Sequence, residues 1–213
     1  AVYLYRVESN GSIALLTKLT SPDNEASGKF GGALASSGNL LAIGSRSADL
    51  PGKKNAGAVY LYRVESNGSV ALLTKVTAPD AHAYDIFGHS VQLSGDLLAV
   101  GATFADFDGV ANCGAVYVYE LEDNGSVKFM TLITSPDKKA DEHFGGKISL
   151  LGRTLLAGSP NADPDGVEDA GSAYLFDLGE MLNRSPTDLH AVVPLSIAEN
   201  QPVGTVVGAF GAT

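Results

Sequence analysis

The residues best suited to chemistry lie in one acidic loop. Asn161-Ala162-Asp163-Pro164-Asp165-Gly166-Val167-Glu168-Asp169 sets oxygen-bearing side chains at loop positions one, three, five and nine, with glycine at six. Calcium takes about six to eight oxygen ligands, and this spacing lets a compact loop converge them, with the backbone carbonyl of Val167 as a further donor. Asn161, Asp163, Asp165, Val167 and Asp169 are therefore a candidate calcium loop. A poorer copy retains Asp106, Asp108 and Asn112, with Phe104 at position one. A third keeps only Asp49 and Asn55, with Pro51, Lys53 and Lys54 between them. The same residue types also make an ordinary exposed turn. On the sequence both readings stay open, and calcium is the one cofactor that the chain offers to hold.

Other chemistry finds little support. His82, His89, His143 and His190 show no metal-ligand spacing, and His89 and His143 stand beside Phe-Gly pairs, at the edge of a repeating unit. Cys113 is the only cysteine, so no internal disulfide forms, and its place beside Gly114 fits a buried small residue rather than a nucleophile. No Ser/His/Asp set recurs, and no glycine-rich loop precedes a helix. The Asn-Gly-Ser triplets at Asn10, Asn67 and Asn124 match the glycosylation sequon, but a hairpin turn explains Asn-Gly equally well. The net charge of −10 disfavours nucleic acid, whose phosphates it repels, and suits either a divalent cation or plain solubility.

These residues are positioned by a repeat. AVYLYRVESNGS at Ala1–Ser12 recurs unchanged at Ala58–Ser69 and as AVYVYELEDNGS at Ala115–Ser126, and a weaker SAYLFDL starts at Ser172. The stride is 57 residues throughout, and Phe30-Gly31, Phe87-Gly88 and Phe144-Gly145 obey it. One unit reads as four short strands: FGHSVQL from Phe87, LLAVGA after a Ser94-Gly95-Asp96 turn, AVYVYEL after the acidic loop, and SVKFMTLI after Asn124-Gly125. The Asn-Gly pair predicts a type I′ turn. In Val59-Tyr60-Leu61-Tyr62 one face is aliphatic and the other aromatic, so both faces must be covered. Sheets buried front and back, repeated in tandem, predict an all-β propeller of four-stranded antiparallel blades, with a β-solenoid as the runner-up.

Phe-Gly opening a strand, Gly-Ala or Gly158-Ser159-Pro160 closing the next, then Gly-Ala-Val-Tyr, resembles the FG-GAP repeat of integrin-α-like propellers, in a bacterial-style variant. The resemblance covers roughly residues 1–178: a partial blade at 1–20, units at about 26–82 and 83–139, and an incomplete one at about 140–178. It implies a ring on an exported protein, with further blades, any export signal and any membrane anchor outside this stretch. The integrin calcium loop between the first two strands is not carried over, because Ser37–Asn39, Ser94–Asp96 and Leu151–Arg153 are too short to wrap a cation.

Beyond it, residues 179–190 read as a linker. From 191 the segment Glu199-Asn200-Gln201-Pro202-Val203-Gly204-Thr205 is similar to the opening of a cadherin-like repeat. That resemblance implies Glu199 as a calcium ligand. Together the two resemblances imply a non-catalytic extracellular recognition or adhesion module with a protein or glycan ligand on a cell surface or matrix. The alternatives are the propeller part of a secreted or surface-anchored hydrolase or lyase, and a structural spacer; fold alone does not decide among them.

Overall fold

The computed structural model describes residues 1–24 and 27–179 and, beyond them, the backbone of His190–Ala191 and Phe210–Gly211. The chain divides into two units, Ala1–Asp177 and Leu178–Thr213. In the second, β14 (His190–Ala191) pairs antiparallel with β15 (Phe210–Gly211). Glu199 and most of the linker and cadherin-like readings lie outside the described residues.

The first unit holds thirteen strands: β1 (Val2–Val7), β2 (Ile13–Leu19), β3 (Phe30–Ser37), β4 (Leu40–Ser45), β5 (Ala58–Val64), β6 (Val70–Val76), β7 (Ser90–Ser94), β8 (Leu97–Ala102), β9 (Ala115–Leu121), β10 (Val127–Ile133), β11 (Lys147–Leu151), β12 (Thr154–Ser159) and β13 (Ser172–Asp177). They form a two-stranded sheet β1-β2, two four-stranded sheets β3-β4-β5-β6 and β7-β8-β9-β10, and a three-stranded sheet β11-β12-β13. Every pairing is antiparallel between sequence neighbours, so each sheet is a meander. These are the blades of a β-propeller. The repeat extends even to the irregularity: the outer hairpin of each of the first three blades bulges at the same place, beside Leu4/Tyr5, Leu61/Tyr62 and Phe129/Thr131.

The two-sided pattern of β5 resolves as expected. Tyr60 and Tyr62 pack with Ile43, Phe30 and Val2 toward the preceding blade. Val59 and Leu61 join Phe87, Val91, Leu98 and Tyr117 toward the following one. An edge-on aromatic contact recurs at the stride, Phe30 on Tyr60 at 5.6 Å between centroids, Phe87 on Tyr117 at 5.4 Å and Phe144 on Tyr174 at 5.9 Å. At the two ends one face stays bare: Tyr3 and Tyr5 on β1 are half exposed, and Leu175 on β13 is 69% exposed.

Two local expectations are corrected. The predicted inner strand beginning at Phe87 starts instead at Ser90, and Phe87 makes a single parallel bridge to Gly57 of the blade before, as Phe144 does to Gly114. The backbone is left-handed on both sides of Phe87, at Ile86 (φ +52°) and Gly88 (φ +85°), and the ring is fully buried; β3, with the same kink at Lys29 and Gly31, does begin at its phenylalanine. Nor are the Asn-Gly turns type I′. Only the glycine is left-handed (Gly11, φ +81°), while the Asn10 carboxamide accepts the Ser12 N–H at 2.9 Å and Glu8 N–H closes the loop on the Ser12 carbonyl. That is a type I turn followed by a left-handed glycine, the solution for a longer loop.

Blades meet backbone to backbone. A Cβ on Gly44 would lie 2.3 Å from the Gly88 carbonyl oxygen, and one on Gly101 would lie 2.2 Å from that of Gly145. Substituting Gly101→Ala is therefore expected to cost at least about 2 kcal/mol, since rigid backbone must shift. Gly95→Ala, where nothing lies within 4 Å and only the left-handed φ opposes it, is expected to cost about 1 kcal/mol. Urea unfolding of the two variants checks the ranking; equal costs would mean that the blades do not depend on this contact.

Candidate functional site

Two families of polar side chains recur between the strands, and a third group stands at one seam alone. The first is the acidic loops after β4, β8 and β12. Each is closed the same way: Asp49 Oδ1 accepts the Asn55 N–H at 2.7 Å, Asp106 Oδ1 that of Asn112 at 2.7 Å, and Asp163 Oδ1 that of Asp169 at 2.8 Å. The residue at the closing position is left-handed in all three, at Asn55, Asn112 and Asp169. In the Asn161 loop, Pro164–Gly166 makes one 3₁₀ turn and the Val167 N–H returns to the Pro164 carbonyl at 3.0 Å. The Asn161 N–H reaches the Glu142 carbonyl. Asp165 and Asp169 are exposed. In the Asp106 loop the remaining candidates also have protein partners: Asp108 pairs with Lys138, and Asn112 Nδ2 donates to Asp141 at 2.7 Å. Among the described residues, no three Asp, Glu, His or Cys side chains gather where they would hold a metal ion. The shared conformation has a cation-free cause, because the lysine-bearing Asp49 loop adopts the same closure as its more acidic copies.

The second family is a clamp that sequence reasoning missed. The connector before each inner strand carries a Pro-Asp pair, and that Asp accepts from the tyrosine of the third strand of the coming blade. Tyr60 donates to Asp23 at 2.7 Å, Tyr117 to Asp80 at 2.8 Å and Tyr174 to Asp137 at 2.7 Å. Hydrogen bonds from Lys75 and then Tyr60 hold the Asp23 carboxyl below its usual range. Those from Tyr174 and then Ser135 do the same for Asp137, burial opposing slightly. On Tyr117, burial first and Asp80 second push the phenol well above its ordinary value. The signal was present: both partners keep the 57-residue stride.

The third is a cleft of about 330 Å³ between the third and fourth blades, lined by His89, Thr103, Phe104, His143, Lys147 and Pro160. His89 enters β7, Thr103 and Phe104 leave β8, and Lys147 opens β11. His143 is placed by a left-handed backbone (φ +57°), and its ring lies against Phe104, centroids 4.5 Å apart. Thr103 Oγ1 is 3.3 Å from His89 Nδ1. Burial, then the charges of Arg46, Lys147 and His143, hold the His89 imidazole below its usual range, so it is mostly neutral at pH 7. A second cleft of about 290 Å³, between β1 and β3–β4, is lined by Val2, Leu4, Leu34 and Ile43 among others and holds no charged group. Buried Cys113 lies with its Sγ 3.8 Å from the Ala105 carbonyl, and burial raises its thiol, which suits a packing role.

A meander of four short strands per 57 residues, packed blade on blade, with Phe-Gly at every seam, defines a propeller-type repeat protein. The FG-GAP repeat is matched three times, at residues 15–62, 71–119 and 128–176, which is more than half of the chain, and the chain belongs to that family. Each match begins on the outer strand of one blade and ends on the third strand of the next, so the sequence unit straddles the seam it builds. No curated protein matches the chain.

Two outcomes are expected. Asp163→Ala is expected to lower stability by about 1 kcal/mol through the lost loop closure, to the same extent with millimolar calcium as with a chelator. A calcium-dependent rise in Tm that Asp163→Ala abolishes would make the loop a calcium site instead. Asp23 and Asp137 have folded values below their unfolded ones. The stability they contribute is therefore full above the ordinary carboxylate range, about pH 3.9, and is lost as pH falls through their depressed values. Urea midpoints from pH 6 to 2 should drop below about pH 4, and Tyr174→Phe should shrink that drop. An unchanged profile would show that the clamp is energetically idle.

Proposed function

We propose that this chain belongs to an extracellular, non-catalytic recognition or adhesion module that binds a protein or glycan on a cell surface or matrix. One observation carries the reading. The repeats share the Phe-Gly pair, the glycine that ends the second strand and the tyrosine of the third, yet they diverge in chemical character at the cleft. The position of His89 is Gly32 and Gly146 in the neighbouring copies, that of His143 is Lys29 and Ile86, and that of Lys147 is Ala33 and Ser90. A scaffold that repeats its core and varies a recess between blades is suited to presenting that recess. The varied residues offer hydrogen-bond donors, charge and an aromatic face, the kit of a recognition site.

Membership in the FG-GAP family supports a propeller-like module, and a secreted setting is part of the same proposal. An array of glycans and matrix proteins probed with the labelled chain tests it. Selective, saturable binding to one class is expected. Binding to none, with the protein folded by circular dichroism, would leave the spacer reading. Turnover of a bound glycan or lipid ester would leave the hydrolase or lyase reading.

A further inference from the structure

The cleft between the third and fourth blades is cationic on an acidic protein. The chain carries −10 overall, yet no carboxylate is among the residues lining this recess, where Lys147, His89 and His143 stand together, with Arg46 near enough to act on His89. Burial first, then the positive charges of Arg46, Lys147 and His143, oppose a proton on His89. An anion entering the recess relieves that opposition, and the low-dielectric walls strengthen the attraction. The remaining surface is of a different kind. Phe104 is 41% exposed, with His143 set against it. Thr103 adds a hydroxyl, buried and already turned to His89. The volume, about 330 Å³, is at the lower end for a small-molecule site and suits a single ring with its substituent better than a length of peptide.

We propose that this cleft binds one anionic sugar residue, a uronic acid or a sulfated sugar, of a surface or matrix polysaccharide. The sugar's C–H face lies on Phe104, and its carboxylate or sulfate meets Lys147 and the two histidines. This rests on the recognition reading above and narrows it to a ligand class and a place. The seam geometry makes the site specific to this pair of blades. The equivalent seam one blade earlier has Arg46 and Ser47 where this one has Thr103 and Phe104, and Gly32 and Ile86 where the histidines stand.

Calorimetric titration of the full chain tests the proposal with four probes of matched length: a uronic-acid oligosaccharide, a sulfated one, a neutral one and an oligoglutamate peptide. At least one acidic sugar is expected to bind about tenfold or more tighter than the neutral sugar and the peptide. Lys147 is exposed, so its replacement leaves the fold intact: Lys147→Glu should lose that preference, and Lys147→Arg should retain it. Phe104→Ala should weaken the acidic sugar without restoring the neutral one. Affinity should rise from pH 8 to pH 5.5 as the bound anion helps His89, facing Arg46, Lys147 and His143, to take up a proton, and His89→Gln should flatten that rise. Oligoglutamate binding as tightly as the acidic sugars would overturn the proposal in favour of an acidic peptide partner. A ligand of another class that binds regardless of Lys147→Glu would overturn the cleft assignment and leave the recognition reading standing. No binding of these probes, nor of any array member, would overturn both.

Discussion

Everything in the propeller unit depends on how closely two backbones are allowed to approach. At each seam the end of a second strand and the start of the next inner strand come together where a side chain has no room, Gly44 against Gly88 and Gly101 against Gly145. That contact sets the wedge between blades. Because the main chains touch, Phe87 and Phe144 must swing inward, and they become fully buried beneath the tyrosines of the third strand. The Phe-Gly pair is thus a joint between blades. Its left-handed kink trades local backbone preference for aromatic burial, and burying a ring of that size outweighs a cost of roughly 1–3 kcal/mol at a residue such as Ile86.

The polar parts follow from this seam. The Pro-Asp connector crosses between blades and must dispose of a carboxylate; the tyrosine below it supplies the donor, so the phenol's buried end is never left unpaired. The loops beyond the second strands are closed by their own aspartates, which makes their shape a property of backbone capping. The recess by His89 and His143 arises where the residues leaving β8 meet those entering β7 and β11 across one seam.

Much of this was legible in the chain. The stride, the strand order, the partial blades at either end and the two-faced character of Val59-Tyr60-Leu61-Tyr62 are consequences of period-two burial and strict repetition, which a sequence displays directly. The kink at Ile86 was not legible, because a β-branched residue in the left-handed region contradicts local preference and is imposed by the neighbouring blade. The carboxylates of the acidic loop were legible, whereas the backbone hydrogen bond that Asp163 accepts was not, because it depends on the left-handed turn at Asp169. The clamp could have been found by asking which polar residues hold the stride, and the cleft by asking which positions break it. Both questions need strands from different blades placed side by side before their answers mean anything.

The copying of β1 and its turn, letter for letter, in β5 and its turn carries a consequence for how the chain reaches its native state. While the polypeptide is being made, either copy satisfies the same outer-hairpin partner with the same register and the same bulge, so nothing in the pairing itself tells the chain which is correct. Tandem proteins of this kind are prone to strand exchange within and between molecules. The loops, where the copies differ most, are therefore also the labels by which each segment is sorted to its own place.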